Sequence, residues 1–179
     1  MNHGDTENTE KNKGKPLQTL CLRGEKGQSS AMGQGRILAL DVGEKRIGIA
    51  LSDPLRLVAR PLMVIQRASK SKDFATIGRL VAEHQVSLVL CGYPLSLDGN
   101  EGPQGKRIRR YAEALAETLP APVELWDESY STVEAESVMG ITKKRLSPQE
   151  RRQWVDAVAA AVILQSYLDA RSPGGTFHV

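Results

Sequence analysis

From residue 36 onward, short apolar runs alternate with stretches in which apolar positions recur every three or four residues. Arg36 to Val42, Arg46 to Ser52 and Val58 to Gln66 have the length and near-continuous apolarity of buried strands. The first two are joined by GEK, a link of hairpin length, and Asp53-Pro54 marks the next turn. In DFATIGRLVAEHQ the residues Phe74, Ile77, Leu80, Val81 and His84 share one helical face, with Asp73 as a predicted cap. VSLVLCGYP reads as a buried strand running into a Gly/Pro loop. Pro103 opens a helix on which Ile108, Tyr111, Ala112, Leu115 and Leu119 fall in step. PVELWDES is a further strand, followed by a short helix from Thr132 to about Met139 with a capping box at Ser131 and Glu134. After the basic loop ITKKRL, Ser147-Pro148-Gln149-Glu150 starts a last helix that runs to about Ala170.

The predicted order is three strands, then helix, strand, helix, strand and two helices. A hairpin meander followed by β-α alternation implies an α/β domain: a mixed five-stranded sheet, antiparallel at first and then parallel, flanked by helices. Ligands of such sheets gather at the carboxyl ends of the strands. That edge carries Asp41, the Gly92-Tyr93-Pro94 loop and the Asp127-Glu128 pair.

Residues 1–35 break the pattern, being rich in Gly, Asn, Lys, Glu and Ser with hardly any apolar periodicity. Such a stretch buries too little surface to offset its ordering entropy and is expected to be disordered. Met32, just before the first strand, is a second candidate start. The folded domain is expected over 36–171, with 172–179 a flexible tail. The formal net charge of +3 is modest, so any nucleic-acid contact must come from clustered charge. Two cysteines, Cys21 and Cys91, make neither a disulfide framework nor a zinc site, and with no signal peptide or membrane-length apolar run the expected compartment is the cytoplasm.

The chemistry is carried by acidic residues. Asp41 ends a strand that otherwise reads as fully buried, where an uncompensated charge costs several kcal/mol. Asp127 and Glu128 end another strand, and Asp156 lies inside the last helix on the flank of Ala159, Ala160, Ile163 and Tyr167. The Ala-Ala-Ala run beside it lets that helix approach the sheet closely. Each acid taken alone has an ordinary explanation: Asp41 paired with Lys45 or Arg46, Asp127 or Glu128 as a solvated strand end, Asp156 paired with Arg152. Together they form a set of hard oxygen donors, suited to Mg²⁺ or Mn²⁺. Two such ions held ~4 Å apart activate a water and stabilise the leaving oxygen in phosphodiester hydrolysis. Spacing alone points to a metal or phosphate site.

LALDVGEKRIGIALSD, VLCGYPLSLDGNEGPQGKRIRRYAEAL, WDESYSTVEAE and VDAVAAAVILQSYLD, in this order and spacing, resemble the YqgF/RuvX family of Holliday-junction resolvase-like proteins, also assigned to pre-16S rRNA processing. The resemblance covers nearly all of 36–171. It implies a three-layer ribonuclease H-like fold, metal-dependent cleavage of nucleic-acid phosphodiesters, and an acidic site at Asp41, the Asp127-Glu128 pair and Asp156. The resemblance does not choose between Asp127 and Glu128, and both stand as candidates with a slight preference for Glu128. The family reads D-E-R-L-T-T where this chain has Asp127-Glu128-Ser129-Tyr130-Ser131-Thr132, so an arginine is replaced by Ser129.

Basic residues flank the predicted site: Lys45 and Arg46 in the first hairpin, Lys106, Arg107 and Arg110 at a helix start, and Lys143, Lys144, Arg145 and Arg152 near the last helix. Positive charge at a helix start opposes the macrodipole, and its two readings are phosphate binding and a solvated face. The expected activity is endonucleolytic cleavage of structured RNA, the pre-16S rRNA, by a monomer or homodimer with two divalent ions. A four-way DNA junction is the alternative substrate, and a catalytically weak RNA-binding assembly factor the alternative of another class. Asp-Val-Gly before a basic hairpin also resembles the phosphate loop of actin-like ATPases, but the chain is short for their two-lobed cleft.

Overall fold

The computed structural model describes residues 35–94, 101–127 and 148–171. The expected tail and short helix at Thr132–Met139, and all of the expected N-terminal extension but Gly35, lie outside these residues. The meander forms β1 (Arg36–Val42), β2 (Arg46–Ser52) and β3 (Ala59–Gln66). Then come α1 (Lys70–Glu83), β4 (Val86–Tyr93), α2 (Pro103–Ala116), β5 (Val123–Asp127) and α3 (Pro148–Arg171). The sheet order is β3-β2-β1-β4-β5. The pairs β1/β2 and β2/β3 are antiparallel, whereas β1/β4 and β4/β5 are parallel. This is the mixed five-stranded sheet that the alternation predicts, with the strand that bears Asp41 at its centre.

Strand alternation divides the core into two layers. Leu38, Leu40 and Val42 of β1 join Ile47, Ile49 and Leu51 of β2 in a cluster with Ile77, Leu80 and Val81 of α1 and Ile108, Tyr111 and Leu115 of α2. Ile37 and Ala39 of β1, Ala50 of β2 and Leu88 and Leu90 of β4 face Ala160, Ala161, Ile163, Leu164 and Tyr167 of α3. Small residues on both sides, Ala39 and Ala50 against Ala160 and Ala161, let α3 lie close to the sheet.

Two expected boundaries move. Val58 is not the start of β3, because its N–H donates to Asp53 Oδ1 at 2.9 Å and it belongs to the Asp53 turn. Asp73 is not a helix cap: α1 begins earlier, and Ser69 is its N-cap, its side chain accepting from Lys72 N. Asp73 instead sits buried in the first turn, where Arg67 Nε donates to its Oδ2 at 3.2 Å. Among the described residues no helix is long and apolar enough to cross a membrane.

Candidate active site

The position of Asp41 follows from parity. Ile37 and Ala39 face α3, and two residues further along the same strand face comes Asp41, half-buried at the carboxyl end of β1. Directly opposite, in the antiparallel register, stands Gly48 of β2. A Cβ there would lie 1.8 Å from the backbone carbonyl oxygen of Asp156 and 2.8 Å from Ala157 N. The missing side chain is therefore the socket into which the backbone of α3 fits at Asp156. Close approach of backbone is what glycine permits, and here the approaching backbone is the chain's own helix.

This packing brings two acids from opposite ends of the domain into one electrostatic environment. Burial, and after it the charge of Asp156, push Asp41 from its ordinary 3.8 up to about 6. Asp156 is partnered by Arg46, whose Nε donates to Oδ2. Arg46 lies two residues before Gly48 on the same face of β2. One alternative pairing is thus corrected: Arg46 holds Asp156 rather than Asp41, where burial and the Asp156 charge dominate, while the side chain of Arg152 lies outside the described residues.

Asp127 falls elsewhere. Val123 and Leu125 of β5 pack in the α1/α2 layer, while Trp126 packs in the α3 layer and donates from Nε1 to Ser166 Oγ at 2.8 Å. Asp127 shares the parity of Val123 and Leu125, the face opposite to that of Asp41. Glu128 lies outside the described residues. Among those residues no group of three or more His, Cys, Asp or Glu side chains converges as a metal site. Of the three described candidates, Asp41, Asp127 and Asp156, the first and last share an electrostatic environment. Two hard carboxylate oxygen donors, one of them buried at a cost to its ionised form, are the donor chemistry a divalent cation takes.

The basic candidates divide likewise. Lys45 is exposed in the β1–β2 hairpin, and Lys106, Arg107 and Arg110 are exposed on α2. Arg107 Nη1 donates to Glu44 of the hairpin, so the two basic segments adjoin. Lys143, Lys144, Arg145 and the side chain of Arg152 lie outside the described residues.

Two fastenings escape a reading of the sequence. Arg67, just past β3, donates from Nη1 to the Gly43 carbonyl at 2.8 Å, from Nε to Asp73, and from its backbone N–H to the Lys45 carbonyl at 3.0 Å. Its guanidinium lies 5.0 Å from the centre of the Tyr111 ring. It thereby moors the hairpin between Asp41 and Arg46 to α1 and α2. Running the register of two consecutive hairpins forward would have placed Arg67 beside Lys45, and that is the available signal. At the end of β4, Tyr93 Oη and Arg109 Nε both donate to Glu101 Oε1 at 2.7 Å, tying the start of α2 to the sheet edge.

Comparison with known proteins agrees with this architecture. A protein from Thermoanaerobacter pseudethanolicus named "Putative pre-16S rRNA nuclease" is 42% identical over 136 residues, covering 76% of this chain and 97% of that one. A Syntrophus aciditrophicus protein of the same name is 47% identical over 137 residues, covering 76% of this chain and 90% of its own. Among solved structures, Thermus thermophilus RuvC in complex with a Holliday junction substrate superposes with a TM-score of 0.54 at 14% identity, covering 79% of this chain and 98% of that chain. At that identity the likeness speaks for the fold, the ribonuclease H-like arrangement of sheet and helices. The family model described as "RuvX: Holliday junction resolvase" matches residues 35–170, and the chain belongs to that family.

Proposed function

We propose that this protein is a metal-dependent endonuclease that hydrolyses phosphodiester bonds in structured RNA, with the precursor of 16S rRNA as substrate and the cytoplasm as its place of work. The observation that carries the reading is the apposition of Asp41 and Asp156 across the Gly48 contact, at the carboxyl edge of a ribonuclease H-like sheet. In this reading Asp41, Asp156 and Glu128 hold the cations, with Asp127 on the strand face opposite to Asp41. Divalent cations supply water activation and charge stabilisation at the leaving oxygen. With a value of about 6, Asp41 is mostly ionised at neutral pH and ready to ligate. Lys45, Lys106, Arg107 and Arg110, joined by Lys143, Lys144, Arg145 and Arg152, take the phosphates on either side of the scissile bond and set a salt-dependent affinity.

The relatives' name favours RNA, while the family description favours a four-way DNA junction. The two are separated by offering purified protein, with Mg²⁺ or Mn²⁺, a precursor-rRNA fragment and a synthetic junction. Cleavage of the RNA is expected. Asp41→Asn and Asp156→Asn should each lower its rate by more than about 100-fold with circular dichroism unchanged. Full turnover in both variants would end the proposal, and retained RNA binding with no cleavage in the wild type would favour an assembly factor instead.

A further inference from the structure

We propose that Arg46 is a built-in counter-ion that occupies Asp156 until a divalent cation displaces it, so that ion binding releases a guanidinium toward the nucleic-acid phosphate. The inference rests on the reading of Asp41 and Asp156 as cation ligands, and it adds what this chain does with them when no ion is bound.

Three observations support it. Arg46 Nε bonds Oδ2 of Asp156, an oxygen that a cation would require. A guanidinium and a divalent ion repel each other, so the two compete for that oxygen. Next, the two partners differ in freedom: the Arg46 side chain is 43% exposed and that of Asp156 22%. The backbone at Asp156 is also seated against Gly48, where not even a Cβ would fit. The arginine, on a long stem open to solvent, is the partner that moves. Finally, Arg46 bonds Asp156 and not Asp41, and among the described residues burial and the Asp156 charge govern Asp41. Neutralising one acid while the other stays destabilised by burial suits a site that keeps its arginine only until a stronger cation arrives. Arg67, the neighbouring arginine, is committed to Asp73 and Gly43 and cannot substitute. Once displaced, Arg46 remains anchored on β2 within the same site and joins Lys45 in facing the phosphate backbone.

The test measures Mn²⁺ binding to the full chain by electron paramagnetic resonance of the free ion and by calorimetry, with no nucleic acid present. The variants are Arg46→Met, Arg46→Lys, Asp156→Asn and the double variant Arg46→Met/Asp156→Asn. Arg46→Met should tighten Mn²⁺ binding by about tenfold and weaken binding of the RNA fragment in Mn²⁺, with Arg46→Lys between it and wild type for the ion. In the Asp156→Asn background, Arg46→Met should leave Mn²⁺ affinity unchanged, because the competition has gone. Unchanged or weaker Mn²⁺ binding in folded Arg46→Met overturns the proposal and marks the pair as a structural tie. Should Arg46→Met fail to fold, the same comparison is decided by Arg46→Lys, where unchanged ion affinity overturns it. Wild-type protein that takes up no Mn²⁺ removes the cation site itself, and this inference with it. Binding lost in Asp156→Asn but indifferent to Arg46 sinks this inference alone.

Discussion

At the scale of single residues, the site is defined by what burial does to a carboxylate. Asp41 holds its proton up to about pH 6 in the metal-free fold, against an ordinary 3.8. Between those values the native state binds more protons than the unfolded chain, so stability falls as pH rises through about 4 and reaches its full loss above about 6. A shift of this size corresponds to roughly 3 kcal/mol at most. Urea titrations in chelator across pH 4 to 7 should show the decline in wild type and a flatter profile for Asp41→Asn, which is then the more stable protein at pH 7. Equal slopes in the two proteins would refute the assignment. That Asp41 is peculiar was legible, since a carboxylate at the end of ILAL is unusual wherever it stands. The partner of Asp156 was not legible. Arg46 stands 110 residues from Asp156 in the chain, and only the packing of β2 against the last helix brings the two together.

At the scale of elements, the hydrophobic pattern gave the strands and helices of the described residues almost entirely, because continuous runs and 3.6-residue periods follow directly from which faces are buried. It failed where a polar side chain serves in place of a pattern. Asp73 has the chemistry of a cap, yet Ser69 takes that role, and Arg67 draws Asp73 into the interior. It also could not say what Gly48 is for, since a glycine in a strand serves bends, bulges and close contacts alike. The contact makes a sharp prediction. Gly48→Ala places a methyl group 1.8 Å from the Asp156 carbonyl oxygen, backbone that can yield only by moving the helix. The expected cost is at least ~2 kcal/mol in chemical denaturation. Cleavage should drop by about 100-fold, as a shift of about 1 Å parts Asp156 from Asp41. A fully active, fully stable alanine variant would show that helix and strand are not in contact there.

At the scale of the whole molecule, one helix both covers a face of the core and carries a member of the candidate site. Among the described residues, the cluster of Ile37, Ala39, Ala50, Leu88 and Leu90 is covered by α3, and the same helix carries Asp156. A chain ended before Pro148 should therefore lose cooperative thermal unfolding and bind an apolar dye such as ANS, in addition to losing cleavage. A truncated form that melts sharply would refute this dependence. The β-α order announced the layered fold from sequence, and the family resemblance supplied the chemistry. The alanine run announced the close approach of the last helix, and the packing of Ala160 and Ala161 on Ala39 and Ala50 agrees with it; missing was the opposing socket, because a glycine at 48 carries no chemical signature.

That socket alters how any saturation-mutagenesis map of this enzyme should be interpreted. Position 48 would score as intolerant as the acids themselves, although it offers no group to ion, water or phosphate. Loss of turnover would there report a few tenths of a nanometre of lost headroom, and only a structural readout taken alongside would separate the scaffold from the reagent.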